Sequence, residues 1–109
     1  MLTRLKKRAV QYKIIVSDAA WVMLSAHIRF SAEVSPQAAR KTQRNIVDEI
    51  KSLCEMPERF GFLEAAFIPP GKYHKMFVEN WYLVLYQVRD STICVDYILD
   101  GRQDYQWLF

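Results

Sequence analysis

Residues 81–88 read WYLVLYQV, and the reading of the fold turns on them. Tyr82, Val84, Tyr86 and Val88 fall on one side of an extended chain. Trp81, Leu83, Leu85 and Gln87 fall on the other. Alternation with period two, in residues that are β-branched or aromatic, predicts a strand. Arg89-Asp90-Ser91 then offers turn chemistry, and Thr92 to Leu99 alternates again, with Ile93, Val95, Tyr97 and Leu99 expected on one face. On the upstream side Glu79-Asn80 is a second turn signal, preceded by a strand from Tyr73 to Glu79. Short turns between successive strands predict an antiparallel meander.

Further upstream the periodicity changes. Ser35-Pro36 is a helix start, with Ser as N-cap and Pro in the first turn. From there Ala39, Ile46, Ile50 and Leu53 form one stripe as far as Met56, before Pro57. Ser17 and Asp18 open an earlier helix, running to about Phe30, with Trp21, Leu24 and Ile28 on its apolar face. Only a short link around Glu33 and Val34 separates the two, which makes them an antiparallel helical hairpin. Gln11 to Val16, QYKIIV, is a leading strand. Residues 58–72 carry Gly61, Pro69, Pro70 and Gly71 and form a loop, yet Phe60, Phe62, Phe67 and Ile68 make it too apolar to stay in solvent. The order is therefore β-α-α-β-β-β: an α+β fold whose helical hairpin packs on one face of a small, mainly antiparallel sheet. The opposite face is expected to be a free working surface.

A chain of 109 residues is the size of one domain, and residues 1–109 are taken as such. Hydrophobic residues make up 51% and charged residues 25%, which excludes a disordered chain. Three Trp, six Tyr and six Phe can supply much of the core. Cys54 and Cys94 have no motif spacing and are read as reduced, core-filling thiols; neither CxxC nor a His-rich cluster points to zinc. No apolar run approaches the length that spans a membrane, so a cytoplasmic location is expected, with no membrane partner. The net charge is +3, and it is concentrated: the first 13 residues hold Arg4, Lys6, Lys7, Arg8 and Lys13 with no acid. Such a pole suits a polyanion or an acidic protein, or is a solvated tail.

Taken in order, these features resemble the RelE/ParE toxin superfamily, the toxin half of bacterial type II toxin–antitoxin systems. The resemblance covers about Tyr12 to Leu108. It rests on a leading strand into a helix with Ala19, Ala20, Leu24 and Ile28, a second helix closing on Leu53-Cys54-Glu55-Met56-Pro57, the hairpin strand YLVLYQV from Tyr82 to Val88, and a polar tail with Asp100, Arg102 and Asp104. The ordered set carries it, not any one piece. It implies a cognate antitoxin as partner. It also implies one of two activities: RelE-like members cut messenger RNA on the ribosome, whereas ParE-like members poison DNA gyrase without catalysis.

RNA cleavage through a 2′-hydroxyl needs a base, cations for the developing phosphorane charge and an acid for the leaving oxygen. The alternating basic positions of a RelE-type strand fall here on His74, Met76 and Val78, and the next basic position falls on Leu83. In the tail Arg102 stands beside the matching position, Gln103, and the terminal Tyr position is Phe109, with Tyr105 one helical turn earlier. A rebuilt, metal-free site would use His74 as acid/base, Lys75 and Arg102 as phosphate stabilisers, and Tyr105 as a positioning or acid group. Lys72 and Arg89 would bind RNA phosphate, and no cofactor is required. Trp107 and Phe109 are expected to dock an antitoxin helix. Each residue also has a plainer reading. His74 is an exposed strand residue, His27 a packed or solvated histidine, and Lys72 and Lys75 edge-strand charges that resist aggregation. Asp96 and Asp100 pair with Arg102 or Lys75. The expectation is an endoribonuclease acting on ribosome-bound messenger RNA. Its rivals are a gyrase-binding toxin and a family member that has lost toxicity.

Overall fold

The computed structural model describes residues 11–64 and 68–100. Its elements run β1 (Lys13–Val16), α1 (Asp18–Val34), α2 (Pro36–Ser52), β2 (His74–Val78), β3 (Tyr82–Arg89) and β4 (Thr92–Asp100). The sheet order is β1-β4-β3-β2. The meander is antiparallel as expected, while β1 lies parallel to β4, so the sheet is mixed. That parallel pair needs a crossover, and the helical hairpin provides it.

Both helices start where the sequence places them. The Ser17 hydroxyl accepts from the Ala20 amide, and Asp18 sits in the first turn, where a carboxylate favours the positive end of the helix. Ser35 alone joins the helices. Its backbone is extended (φ −151°, ψ 104°), the conformation a residue before proline prefers. Its amide closes α1 on the Ser31 carbonyl and its hydroxyl caps α2 at Ala38. Helix α1 therefore continues four residues beyond Phe30, and the link is shorter than the sequence implied. Helix α2 ends at Ser52, not Met56: Leu53, Cys54 and Glu55 turn back onto Ile50, Lys51 and Ser52 in tighter i→i−3 bonds, which brings Leu53 fully into the core.

One face of the sheet meets the helices. Ala20 and Leu24 of α1 and Ile46 and Ile50 of α2 pack with Met76, Val78, Tyr82, Val84, Tyr86, Ile93, Val95 and Ile98. Ala20 takes the close-packed place on α1 that was expected of Trp21, which is 47% exposed. Fully burying each large aliphatic side chain contributes about 1.5–3 kcal/mol, which makes this cluster the main source of stability.

The other face is not free. Leu63 and Ile68 fold over Tyr73, Leu83, Leu85 and Leu99, a second buried cluster. The loop returns to the body because its apolar residues have nowhere else to be buried. A bulge in β4 sets which residues face it. The pairing steps from Leu85↔Tyr97 to Tyr86↔Val95, so Asp96 is the extra residue. The bulge reverses the alternation: Ile93, Val95 and Ile98 face the helices, whereas Tyr97 and Leu99, expected beside Ile93 and Val95, face the loop.

Candidate functional site

Successive residues of a strand point to opposite faces. In β2 this separates two of the expected catalytic groups. His74 pairs with Tyr86 and lies on the helix side, while Lys75 pairs with Leu85 and lies on the loop side, half-buried. His74 is only 7% exposed, not the exposed strand residue of its plainer reading. Its ring stacks on Phe62 at 4.2 Å and on Tyr86 at 5.0 Å, centroid to centroid. Its Nδ1 lies 2.7 Å from the Phe60 carbonyl oxygen, which requires the proton on that nitrogen.

The segment 57–64 that covers His74 is a strap along the β2 edge. The Lys75 amide donates to the Gly61 carbonyl (2.9 Å) and the Leu63 amide to the Tyr73 carbonyl (2.7 Å). Tyr86 donates its hydroxyl to the Pro57 carbonyl at 2.7 Å, and its burial pushes the phenol up to about 12. Arg59 fixes the outer side, bonding the Ser52 carbonyl and hydroxyl, with its guanidinium 4.8 Å from the Phe60 ring centroid.

On the opposite face, the bulged Asp96 is the centre of a polar chain that sequence reasoning did not find. Its carboxylate accepts from the Tyr73 hydroxyl (3.2 Å) and from Gln87 Nε2 (2.8 Å). Gln87 Oε1 in turn accepts from Arg89 (3.2 Å). Lys72 Nζ sits 5.4 Å from the Tyr73 ring centroid. Burial first, then the Asp96 charge, raises the Tyr73 phenol well above its ordinary range and keeps it protonated. The two expected phosphate ligands, Lys72 and Arg89, thus stand exposed at the two ends of one network, Lys72–Tyr73–Asp96–Gln87–Arg89. The nearest signal in the sequence was the three consecutive apolar residues after Asp96, which strict alternation cannot place.

His27 approaches the Ile98 carbonyl through Nε2 at 3.0 Å and packs against Tyr82, in keeping with the packed-histidine reading. A cavity of about 570 Å³ opens beside it, between Phe30 and Val34 of α1 and Tyr82 and Asp100 of the sheet. Cys54 and Cys94 are free thiols, both half-buried. Arg102, Tyr105, Trp107 and Phe109 lie outside the described residues. Among the described residues no group of three or more His, Cys, Asp or Glu side chains could hold a metal, and no helix is long and apolar enough to cross a membrane.

No family model matches the chain, and no curated protein does. Among solved structures it is similar to a chain of a chromosomal ParDE toxin–antitoxin system from P. aeruginosa. The two share 18% identity with a TM-score of 0.68, over 84% of this chain and 98% of that one. At that identity the likeness establishes the fold, which is RelE/ParE-like.

Proposed function

We propose that this protein is the toxin of a type II toxin–antitoxin pair, held inactive by a cognate antitoxin, and that it acts by binding its target, as in the ParE-like reading, with DNA gyrase as the expected target. The placement of His74 carries the choice of mechanism. A nuclease needs its acid/base group and its cations converging on one open face. Here His74 is packed under the strap on one side of the sheet, and Lys75 points to the other. The ParDE relationship of the solved structure supports the same branch.

One observation favours the endoribonuclease reading. Lys72 and Arg89 share a face and flank one polar chain, Lys72 through its contact with the Tyr73 ring and Arg89 through its hydrogen bond to Gln87, which suits an RNA phosphate; with Lys75 on the same face, a nuclease of this kind would not use His74, and Arg102 and Tyr105 are its remaining proposed groups.

Induced expression of the chain alone, with mapping of messenger RNA ends and a supercoiling assay with purified gyrase, separates these. Growth arrest with intact messages and inhibited supercoiling is the expected result. Arrest with new cuts inside translated codons, lost in a Lys72→Ala, Arg89→Ala, Arg102→Ala variant, would overturn it in favour of the nuclease. Absence of arrest at full expression would mark a family member without toxicity.

A further inference from the structure

An exposed arginine ordinarily samples several rotamers, and ordering it costs entropy. Arg89 is exposed, yet its guanidinium is held. The chain of bonds that holds it has a single possible direction. The Asp96 carboxylate can only accept, so Gln87 presents its Nε2 there at 2.8 Å. Gln87 Oε1 is then left to face Arg89, which donates to it at 3.2 Å. The far end of the chain is the hydroxyl of the buried Tyr73, a donor to the same carboxylate. A surface cation is thus oriented by groups fixed in the fold.

The neighbours of Arg89 are a hydroxyl and a second cation. Arg89 pairs with Thr92 across β3 and β4, and Thr92 pairs with Lys13 across β4 and β1. Ile14, Val88 and Ile93 pack towards the helices, so Lys13, Arg89 and Thr92 beside them face the other way together. The Lys13 amide donates to the Ser91 carbonyl at 2.9 Å, which holds β1 against the β3–β4 turn at this point. At the usual strand spacing the backbones of Lys13 and Arg89 lie about 10 Å apart, with Thr92 between them. Lys13 is exposed and Thr92 half-buried. Among the described residues no carboxylate forms an ion pair with Lys13 or Arg89, and Asp96 is occupied by Tyr73 and Gln87. A guanidinium has five N–H donors, and the bond to Gln87 uses one of them.

We propose that Lys13, Thr92 and Arg89 form a binding site for a phosphate group, with Gln87 as the residue that positions Arg89. The guanidinium offers two parallel N–H bonds to one edge of the phosphate, the Thr92 hydroxyl donates from the sheet, and the Lys13 ammonium closes the other side. Three separate donors suit a tetrahedral anion with several oxygens better than a flat carboxylate, which the guanidinium alone would satisfy. The first 13 residues, with five cations and no acid, add a field that draws such an anion to this end of the sheet. Lys72 is not part of the site, because its ammonium lies over the Tyr73 ring. The site uses neither His74 nor Lys75 and does not rest on the toxin reading.

The test is an NMR titration of the full chain with inorganic phosphate at fixed ionic strength, read at the Arg89 side-chain N–H, the Gln87 side-chain amide and the Thr92 amide. Saturable shifts at all three are expected. Lys13→Gln with Arg89→Gln should weaken binding roughly tenfold. Gln87→Ala keeps every charge and should weaken binding roughly threefold, the cost of ordering a freed side chain, with the salt dependence unchanged. Circular dichroism checks that both variants stay folded. A short RNA oligonucleotide and a nucleoside monophosphate then identify the source of the phosphate. Much tighter binding of the oligonucleotide assigns a nucleic-acid backbone, equal binding a small phosphorylated ligand, and either supports the site. The proposal is overturned by the absence of saturable shifts at these groups, by equal binding of the double variant, or by equal binding of Gln87→Ala, which would make Arg89 an ordinary mobile surface charge. Toxicity plays no part in the readout, so failure here is separate from failure of the toxin reading.

Discussion

The Ser17 hydroxyl joins the start of helix α1 to the bulge of β4: it accepts from the Ala20 amide at 3.0 Å and donates to the Asp96 carbonyl at 3.0 Å. One side chain therefore caps a helix and pins the residue whose carboxylate organises the opposite face of the sheet. Ser17→Ala removes both bonds. The expected cost is about 1–2 kcal/mol, read as a lower urea midpoint at unchanged slope. Ser17→Thr, which keeps the oxygen, should recover most of it. Equal loss in both variants would show that the hydroxyl holds neither bond in solution.

The Asp96 carboxylate makes a related prediction. It satisfies the Tyr73 hydroxyl, which belongs to a tyrosine only 4% exposed. Asp96→Ala removes the hydrogen bonds that its carboxylate accepts from Tyr73 and Gln87, a cost of about 1–3 kcal/mol. Adding Tyr73→Phe to Asp96→Ala should cost less than the sum of the two single changes, because both remove the same hydrogen bond. Simple additivity in urea unfolding would mean that the two groups do not interact.

His74 separates packing from chemistry. A buried imidazole stacked between Phe62 and Tyr86 contributes to the fold, so His74→Ala should lower stability by about 2–4 kcal/mol. His74→Phe should keep the stacking but lose the bond to the Phe60 carbonyl, and should fall between. Thermal unfolding of the three proteins gives the order. A His74→Ala protein as stable as the parent, yet without toxicity, would return His74 to the catalytic role read from the sequence.

Much of the fold was legible, and the failures have physical causes. The caps at Ser17 and Ser35 and the alternation of Tyr82, Val84 and Tyr86 are local signals, and local signals survive folding. The end of α2 was not legible: Leu53 leaves the helix to reach the core, a tertiary demand that overrides the terminating proline at 57. Nor could alternation foresee a bulge at Asp96, because a bulge is an exception to period two. The candidate site was read less well. The loop 58–72 was seen to be too apolar for solvent, but not that it would bury the sheet face reserved for function. The opposed directions of His74 and Lys75, by contrast, follow from strand geometry alone.

Two loop glycines differ in what they permit. Gly71 has φ +72°, a conformation that costs an L-residue roughly 1 kcal/mol, whereas Gly61 has an ordinary backbone and open space where a Cβ would sit. Gly71→Ala should therefore destabilise by about 1 kcal/mol, and Gly61→Ala should be neutral or stabilising by up to about 1 kcal/mol through the unfolded state. Equilibrium unfolding of both variants checks the pair; the opposite order would mean that the strap backbone at Gly61 is the strained one.

Tyr86 sets the alkaline limit. Burial pushes its phenol up to about 12, and its proton is donated to the Pro57 carbonyl at the root of the strap. In the unfolded chain the same phenol titrates near 10. Between these values the folded state holds a proton that the unfolded state has released, so stability is complete below about pH 10 and is lost as pH rises towards about 12. Tyr73, raised by burial and by Asp96, acts in the same direction. Unfolding followed across this range, with phenolate absorbance as the second signal, should show ionisation coinciding with loss of structure. Tyr86→Phe should be weaker at neutral pH by about 1 kcal/mol, for the lost bond, and should decline less steeply above pH 10. A steep decline retained in Tyr86→Phe would assign the alkaline transition to Tyr73.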